Sequence, residues 1–229
     1  MKERDVVERF LAAHFASAEI AVVGGSTARG TRTPTSDIDL LVIGDGLFAD
    51  GRQSLAGGFA FDNEFFEVFA YISAGFSDWA ERGVAQHRPV ILHMLTEGVE
   101  IRGGERLEEL RSTWQPILDR GPTADAHELA FRRYVITDLL DDLRDSTDAL
   151  ERQVTASLLF ERTAELILLT LSRWIGAGKY LPRRLRELDA DRADALSAPL
   201  LTGMFDAFAD RVEAELVVAG GRVQSGFVR

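Results

Sequence analysis

The sequence predicts an α+β protein: a small mixed-sheet domain over residues 1–120, followed by a C-terminal helical bundle over residues 121–229. Three observations carry this. Short β-rich runs that stop at glycines are confined to the first part of the chain. Gly121-Pro122 is the strongest break, and Thr123 stands where it can cap a following helix. From Ala124 to about Ala219 the apolar pattern is helical, with no convincing strand.

The elements follow in order. Val6, Val7, Phe10, Leu11 and Phe15 recur at helical spacing and open the chain with an amphipathic helix. Glu19–Val23 reads as a strand ending at Gly24-Gly25, and Asp37–Ile43 as a second strand closed by Gly44-Asp45-Gly46. Phe59–Ile72 reads as a third strand with a break near Asp62-Asn63. Helices are expected at Ser77–Gln86 and Pro89–Thr96, a short strand at Val99–Arg102, and a helix at Glu105–Leu118. Beyond the break, Val154, Leu158, Leu159, Ile167, Leu168, Leu171 and Trp174 make one helix apolar on more than one side, as in the middle of a bundle.

With 229 residues and 46% hydrophobic content the chain can bury one large core or two small ones. Its 26 basic and 37 acidic residues give a net charge of −11. That sign disfavours general nucleic-acid binding and suits a cationic small-molecule partner. Cysteine is absent, which excludes disulfides, thiolate nucleophiles and Cys-based zinc sites and fits a reducing cytoplasm. No signal-type stretch follows the charged start. The most apolar segment, Ala164–Ile175, carries Glu165 and Arg173 and is too short for a bilayer, so no membrane partner is expected.

Chemistry concentrates in residues 24–39, Gly-Gly-Ser-Thr-Ala-Arg-Gly-Thr-Arg-Thr-Pro-Thr-Ser-Asp-Ile-Asp, followed by Leu-Leu-Val-Ile. Gly24 and Gly25 allow a close approach of backbone to a ligand, and a helix starting at Ser26 points free N–H groups and a hydroxyl at phosphate. Asp37 and Asp39, two apart on a strand, leave the same face roughly 6–7 Å apart at the backbone. Such a pair repels itself unless a cation intervenes, and hard oxygens beside a phosphate cradle suit Mg²⁺. The competing reading is a pair that merely caps a strand. The glycine turn before it and the apolar strand after it weigh against that.

Gly25-Ser26, ten residues, then Asp37-Ile38-Asp39 resembles the G-S-x(n)-D-x-D motif of nucleotidyltransferases in the DNA polymerase β-like superfamily. The likeness extends over roughly residues 1–105. A helical domain after such a core resembles the kanamycin-type antibiotic nucleotidyltransferases. The resemblance implies transfer of a nucleoside monophosphate from an NTP, ATP foremost, to an acceptor hydroxyl, with Mg²⁺ assisting and pyrophosphate leaving. A small cationic acceptor such as an aminoglycoside, a role in antibiotic resistance and a homodimer belong to the same expectation. An acceptor on a protein side chain, as in toxin–antitoxin relatives, and a non-catalytic binding module are the alternatives.

Such enzymes add a third carboxylate from a neighbouring strand. Asp62, Glu64 and Glu67 are available, and because both faces of 64–71 are apolar, alternation alone leaves Glu64 and Glu67 open. The run Glu67-Val68-Phe69-Ala70-Tyr71 resembles the family's strand best at Glu67, which makes it a metal ligand or a general base. Gly25, Ser26 and Arg29 are candidates for nucleotide binding. Arg29 and Arg32 either neutralise a triphosphate or are ordinary solvated loop residues. Lys179, within a basic cluster with Arg183, Arg184 and Arg186, either meets the nucleotide or answers a helix dipole. Asp138, Asp142 and Asp145 form a helical stripe that either faces a cationic acceptor or is solvated and compensated by Arg133, Arg144 and Arg152. Gly25–Gly30 lacks the lysine of a P-loop, since Thr31 stands there, and the four histidines show no ligand spacing.

Overall fold

The computed structural model describes residues 2–228, with side chains from Arg4 onward. The chain divides into two compact units, Met1–Arg120 and Gly121–Arg229. The first holds a five-stranded mixed sheet and five helices. In chain order these are α1 (Lys2–His14), β1 (Ile20–Val23), α2 (Gly25–Ala28), β2 (Ile38–Ile43), β3 (Ser54–Phe61), β4 (Glu64–Tyr71), α3 (Ser73–Ala85), α4 (Val90–Glu97), β5 (Val99–Arg102) and α5 (Glu105–Arg120).

The sheet order is β3-β4-β2-β1-β5. β2 and β4 run parallel, and the other pairs are antiparallel. One face is sealed by α1. Val7, Phe10, Leu11 and Phe15 pack on Ile38, Leu40 and Val42 of β2 and on Phe66, Val68 and Ala70 of β4. Phe10 stacks flat on Phe66 at 4.1 Å and meets Phe59 and Phe61 edge-on. On the other face, the far ends of β2 and β4 lie under α3, where Phe76 meets Tyr71 edge-on at 6.1 Å. Their near ends hold Asp39 and Glu67.

The expected third strand is two. Asp62 and Asn63 take φ of 51° and 62° and fold 54–71 into a two-residue hairpin, which Asn and Asp accept more readily than other side chains. The β-rich pattern starts only at Phe59 because Gly57-Gly58 offers no side chain to signal β structure. α3 likewise begins four residues earlier than its apolar pattern, at Ser73, whose N–H is capped by Asp45 at 2.9 Å.

The second unit is all helix among its described residues: α6 (Ala126–Asp145), α7 (Ala149–Thr170), α8 (Tyr180–Leu188), α9 (Ala190–Leu201) and α10 (Phe205–Val218). Asp125, Asp148 and Asp189 accept N–H bonds at the starts of α6, α7 and α9. Leu159, Leu166 and Leu168 of α7 lie in one core with Ile136, Leu140, Leu196, Phe208 and Leu216. Glu165, 1% exposed, is bound by Arg132 at 3.0 Å and Arg162 at 3.3 Å, the pairing a buried carboxylate requires.

The segment after α10 lies along α6. Arg222 binds Asp141 and Glu213, each at 2.7 Å; Gln224 donates to Asp141; and Phe227 stacks on His127 and Tyr134. The hydrogen bond from Arg222 holds the Glu213 carboxyl down to about 2, with Arg144 adding to it and burial opposing. A lowered folded-state pKa means the tie is at full strength above the unfolded value near 4.5 and is lost as pH falls through about 2. Protection of the Val223 amide, bonded to Thr137 Oγ1, is therefore expected to collapse across that interval and to be weak already at pH 7 in Glu213→Gln. Hydrogen exchange read residue by residue checks it, and constant protection from pH 5 to pH 2 contradicts it.

Candidate active site

Strand direction gathers the site. β2 and β4 are parallel, so their first residues lie at one end of the sheet, and Asp39 is registered directly against Glu67. β1 runs the other way, so its last residue, Val23, reaches the same end beside Leu40. The chain then turns at Gly24-Gly25, where the Gly24 N–H donates to the Asp39 carbonyl at 2.8 Å. Asp37 lies two residues before Asp39 and shares its face. Asp37, Asp39 and Glu67 each bring a carboxylate oxygen within 4.8 Å of the others; the aspartates are half-buried and Glu67 is exposed.

The turn is built around Asp39. Gly25 has φ of +61°, and a Cβ there would fall 1.6 Å from Asp39 Oδ2. Only glycine lets the backbone pass so close to that carboxylate. Behind it, Gly24 packs against Met94 of α4. Gly25 and Ser26 open the single turn α2, and Thr27 Oγ1 donates to the Asp37 carbonyl at 3.3 Å, tying the turn to the base of the acidic pair.

The loop between turn and strand is stapled. Arg32 binds Glu64 at 2.6 Å and the Ser36 carbonyl at 3.0 Å, while Ser36 Oγ accepts from the Thr33 N–H at 2.9 Å. This separates the two glutamates. Glu64 is engaged by Arg32, whereas Glu67 joins the aspartates. Sequence reasoning missed the Arg32–Glu64 staple, and nothing local marks it, because its partners stand 32 residues apart. Arg29 caps α2 and is exposed.

In the helical unit, Lys179 and Arg183 lie over the Tyr180 ring at 5.7 and 5.3 Å, and Arg184 binds Glu187 at 3.3 Å. The three arginines expected to compensate the acidic stripe of α6 bind elsewhere. Arg133 donates to the Gly220 carbonyl, Arg144 to Asp210 and Glu213, and Arg152 to Asp206. Their side chains leave α6 and α7 toward α10 and the segment after it. Arg222 and Gln224 bind Asp141 instead.

Three carboxylates this close repel one another by about 1 kcal/mol per pair in water and several-fold more as solvent is excluded. A divalent ion relieves this, and three hard oxygens beside a backbone turn fit Mg²⁺, which keeps its remaining positions for water and phosphate. A mixed sheet with an acidic triad next to a glycine-serine turn is the arrangement that the resemblance to nucleotidyltransferases implies. Residues 5–90 match the family model of the nucleotidyltransferase domain. The first unit accordingly carries a nucleotidyltransferase domain, and a helical unit follows it in the sequence. A solved structure described as a nucleotidyltransferase-like protein from Exiguobacterium sibiricum 255-15 is similar over 95% of this chain and 77% of its own, with a TM-score of 0.50 and 13% identity. At that identity the likeness is one of fold. No curated protein matches the chain in sequence. Among the described residues, no helix is long and apolar enough to cross a membrane.

Proposed function

We propose that the chain transfers a nucleoside monophosphate from ATP or another NTP to a hydroxyl of a small cationic acceptor such as an aminoglycoside. The observation that carries this is the triad of Asp37, Asp39 and Glu67 closed against the Gly25 turn. In this reading Gly25, Ser26 and the backbone of α2 receive the triphosphate, with Arg29 answering its charge. Lys179 is assigned the same role on its charge alone. Asp37, Asp39 and Glu67 would hold Mg²⁺, which would supply neutralisation of the charge on phosphorus and on departing pyrophosphate.

The remaining chemistry belongs to the chain. The acceptor hydroxyl oxygen bonds to the α-phosphorus as the bond from that phosphorus to the bridging oxygen breaks. Pyrophosphate leaves, and a Glu67 Oε takes the hydroxyl proton, a role that suits the most exposed of the three carboxylates. The cationic acceptor is supported by the net charge of −11, and a helical unit following the domain in the sequence resembles the kanamycin-type enzymes.

The test is pyrophosphate release from ATP and Mg²⁺ over an aminoglycoside panel, run beside α-labelled ATP with a cell lysate. Turnover with an aminoglycoside is the expected result. Label appearing in a protein band instead moves the acceptor to a protein side chain. No turnover together with no NTP binding overturns the enzyme reading.

A further inference from the structure

The order of strands separates two sides of the triad. Gly25 and α2 come off β1, on one side of Asp39, while Glu67 stands on β4, on the opposite side, with β3 beyond it at the sheet edge. With the triphosphate on the α2 side, an incoming hydroxyl has the β4–β3 side open to it. There the sheet face carries Phe65, two residues before Glu67 and so on the same face. Phe65 is 54% exposed, the most exposed phenylalanine of the sheet, in a strand whose opposite face is buried under α1.

The ring of Phe65 leans across β3, on the side of Glu67 away from the aspartates. Glu67 is registered against Gly58 of β3, and a Cβ on Gly58 would fall 2.5 Å from Phe65 Cζ. The ring therefore crosses the strand that faces Glu67, and Gly58 is what makes room for it. Nothing large covers the ring from β3, because the face-sharing neighbours of Gly58 are Ala56 and Ala60, both exposed. A flat apolar surface thus borders the carboxylate assigned to the acceptor's proton.

We propose that Phe65, placed by Gly58, is the acceptor platform of this enzyme, and that the acceptor presents a ring whose apolar face stacks on it while a hydroxyl at its edge reaches Glu67. A saturated sugar or cyclitol ring, with axial C–H bonds on its face and hydroxyls at its rim, has this chemistry. Phe65 is a specificity-determining residue on this account. The proposal rests on the transfer reading above.

The experiment uses the full chain with Mg²⁺, ATP and kanamycin A as the ring-bearing probe. Phe65→Ala is expected to raise the KM for kanamycin about fivefold to tenfold, the range an aromatic contact supplies, with the KM for ATP within twofold. Phe65→Leu, which keeps bulk without a flat face, behaves like alanine, and Phe65→Tyr like the parent. Gly58→Ala, which displaces the ring without altering it, raises the same KM, and the double variant Gly58→Ala/Phe65→Ala adds nothing further, as coupled positions do. Equal KM for kanamycin in the parent and Phe65→Ala overturns the platform and leaves transfer standing. If the parent does not use kanamycin, the same variants are compared by label from α-labelled ATP into lysate small molecules. Label undiminished in Phe65→Ala overturns the platform. No label from the parent removes the transfer reading and the platform with it, while Mg²⁺·ATP binding by thermal shift identifies which step is lost.

Discussion

Asp39→Asn is expected to abolish transfer, lowering kcat by about 10³-fold or more, which corresponds to roughly 4 kcal/mol on the barrier. Asparagine keeps the shape of the side chain against Gly25 but removes one of the three negative charges that hold the cation. Two effects on stability accompany the loss and do not depend on any acceptor. In EDTA the variant is expected to melt slightly above the parent, because one member of a repelling triad is gone. With saturating Mg²⁺ the parent should gain about 2.7 kcal/mol at a hundredfold excess over its Kd, and the variant nearly nothing. The sign reversal between the two conditions is the diagnostic feature, since a merely structural role for Asp39 would lower stability in both. A magnesium-dependent rise in Tm that survives the substitution would sink the assignment of Asp39 as a ligand.

What the sequence revealed and concealed divides along the range of the interactions. The turn, the acidic pair and β5 at Val99–Arg102 were legible because glycines, alternating apolar residues and adjacent aspartates are local signals. Between Glu64 and Glu67 alternation was silent, because both faces of β4 are apolar, and only the resemblance of the strand favoured Glu67. What stands Glu67 beside Asp39 is the parallel register of β2 and β4, which no residue near either one encodes. Long-range pairing hid the surroundings of Arg32 as well: it pairs with Glu64, 32 residues away. β3 was half hidden for a different reason. Its glycines carry no β signature, yet Gly58 matters through the ring that crosses it. Arg144 and Arg152, expected beside the acidic stripe of α6, pair with carboxylates on α10 instead, because arginine side chains reach across helices as readily as along one.

Gly25→Ala is expected to be nearly as damaging as loss of the aspartate, although it alters no charge. Two costs combine. At φ of +61° a residue with a Cβ is strained by about 1–2 kcal/mol. The new methyl would also fall 1.6 Å from Asp39 Oδ2, a contact no small adjustment relieves, so either the turn or the carboxylate must move by an ångström or more. Displacement on that scale at a reacting centre costs on the order of 10²-fold in rate. Gly30→Ala separates the two terms. Gly30 has φ of +67° but open space where its Cβ would stand, so it pays the backbone strain alone. Both variants should lose comparable stability from strain, while only Gly25→Ala loses Mg²⁺ affinity and transfer. Equal activity in the two would mean that the turn does not shape the triad, and the close approach of Gly25 to Asp39 would then be packing without catalytic consequence.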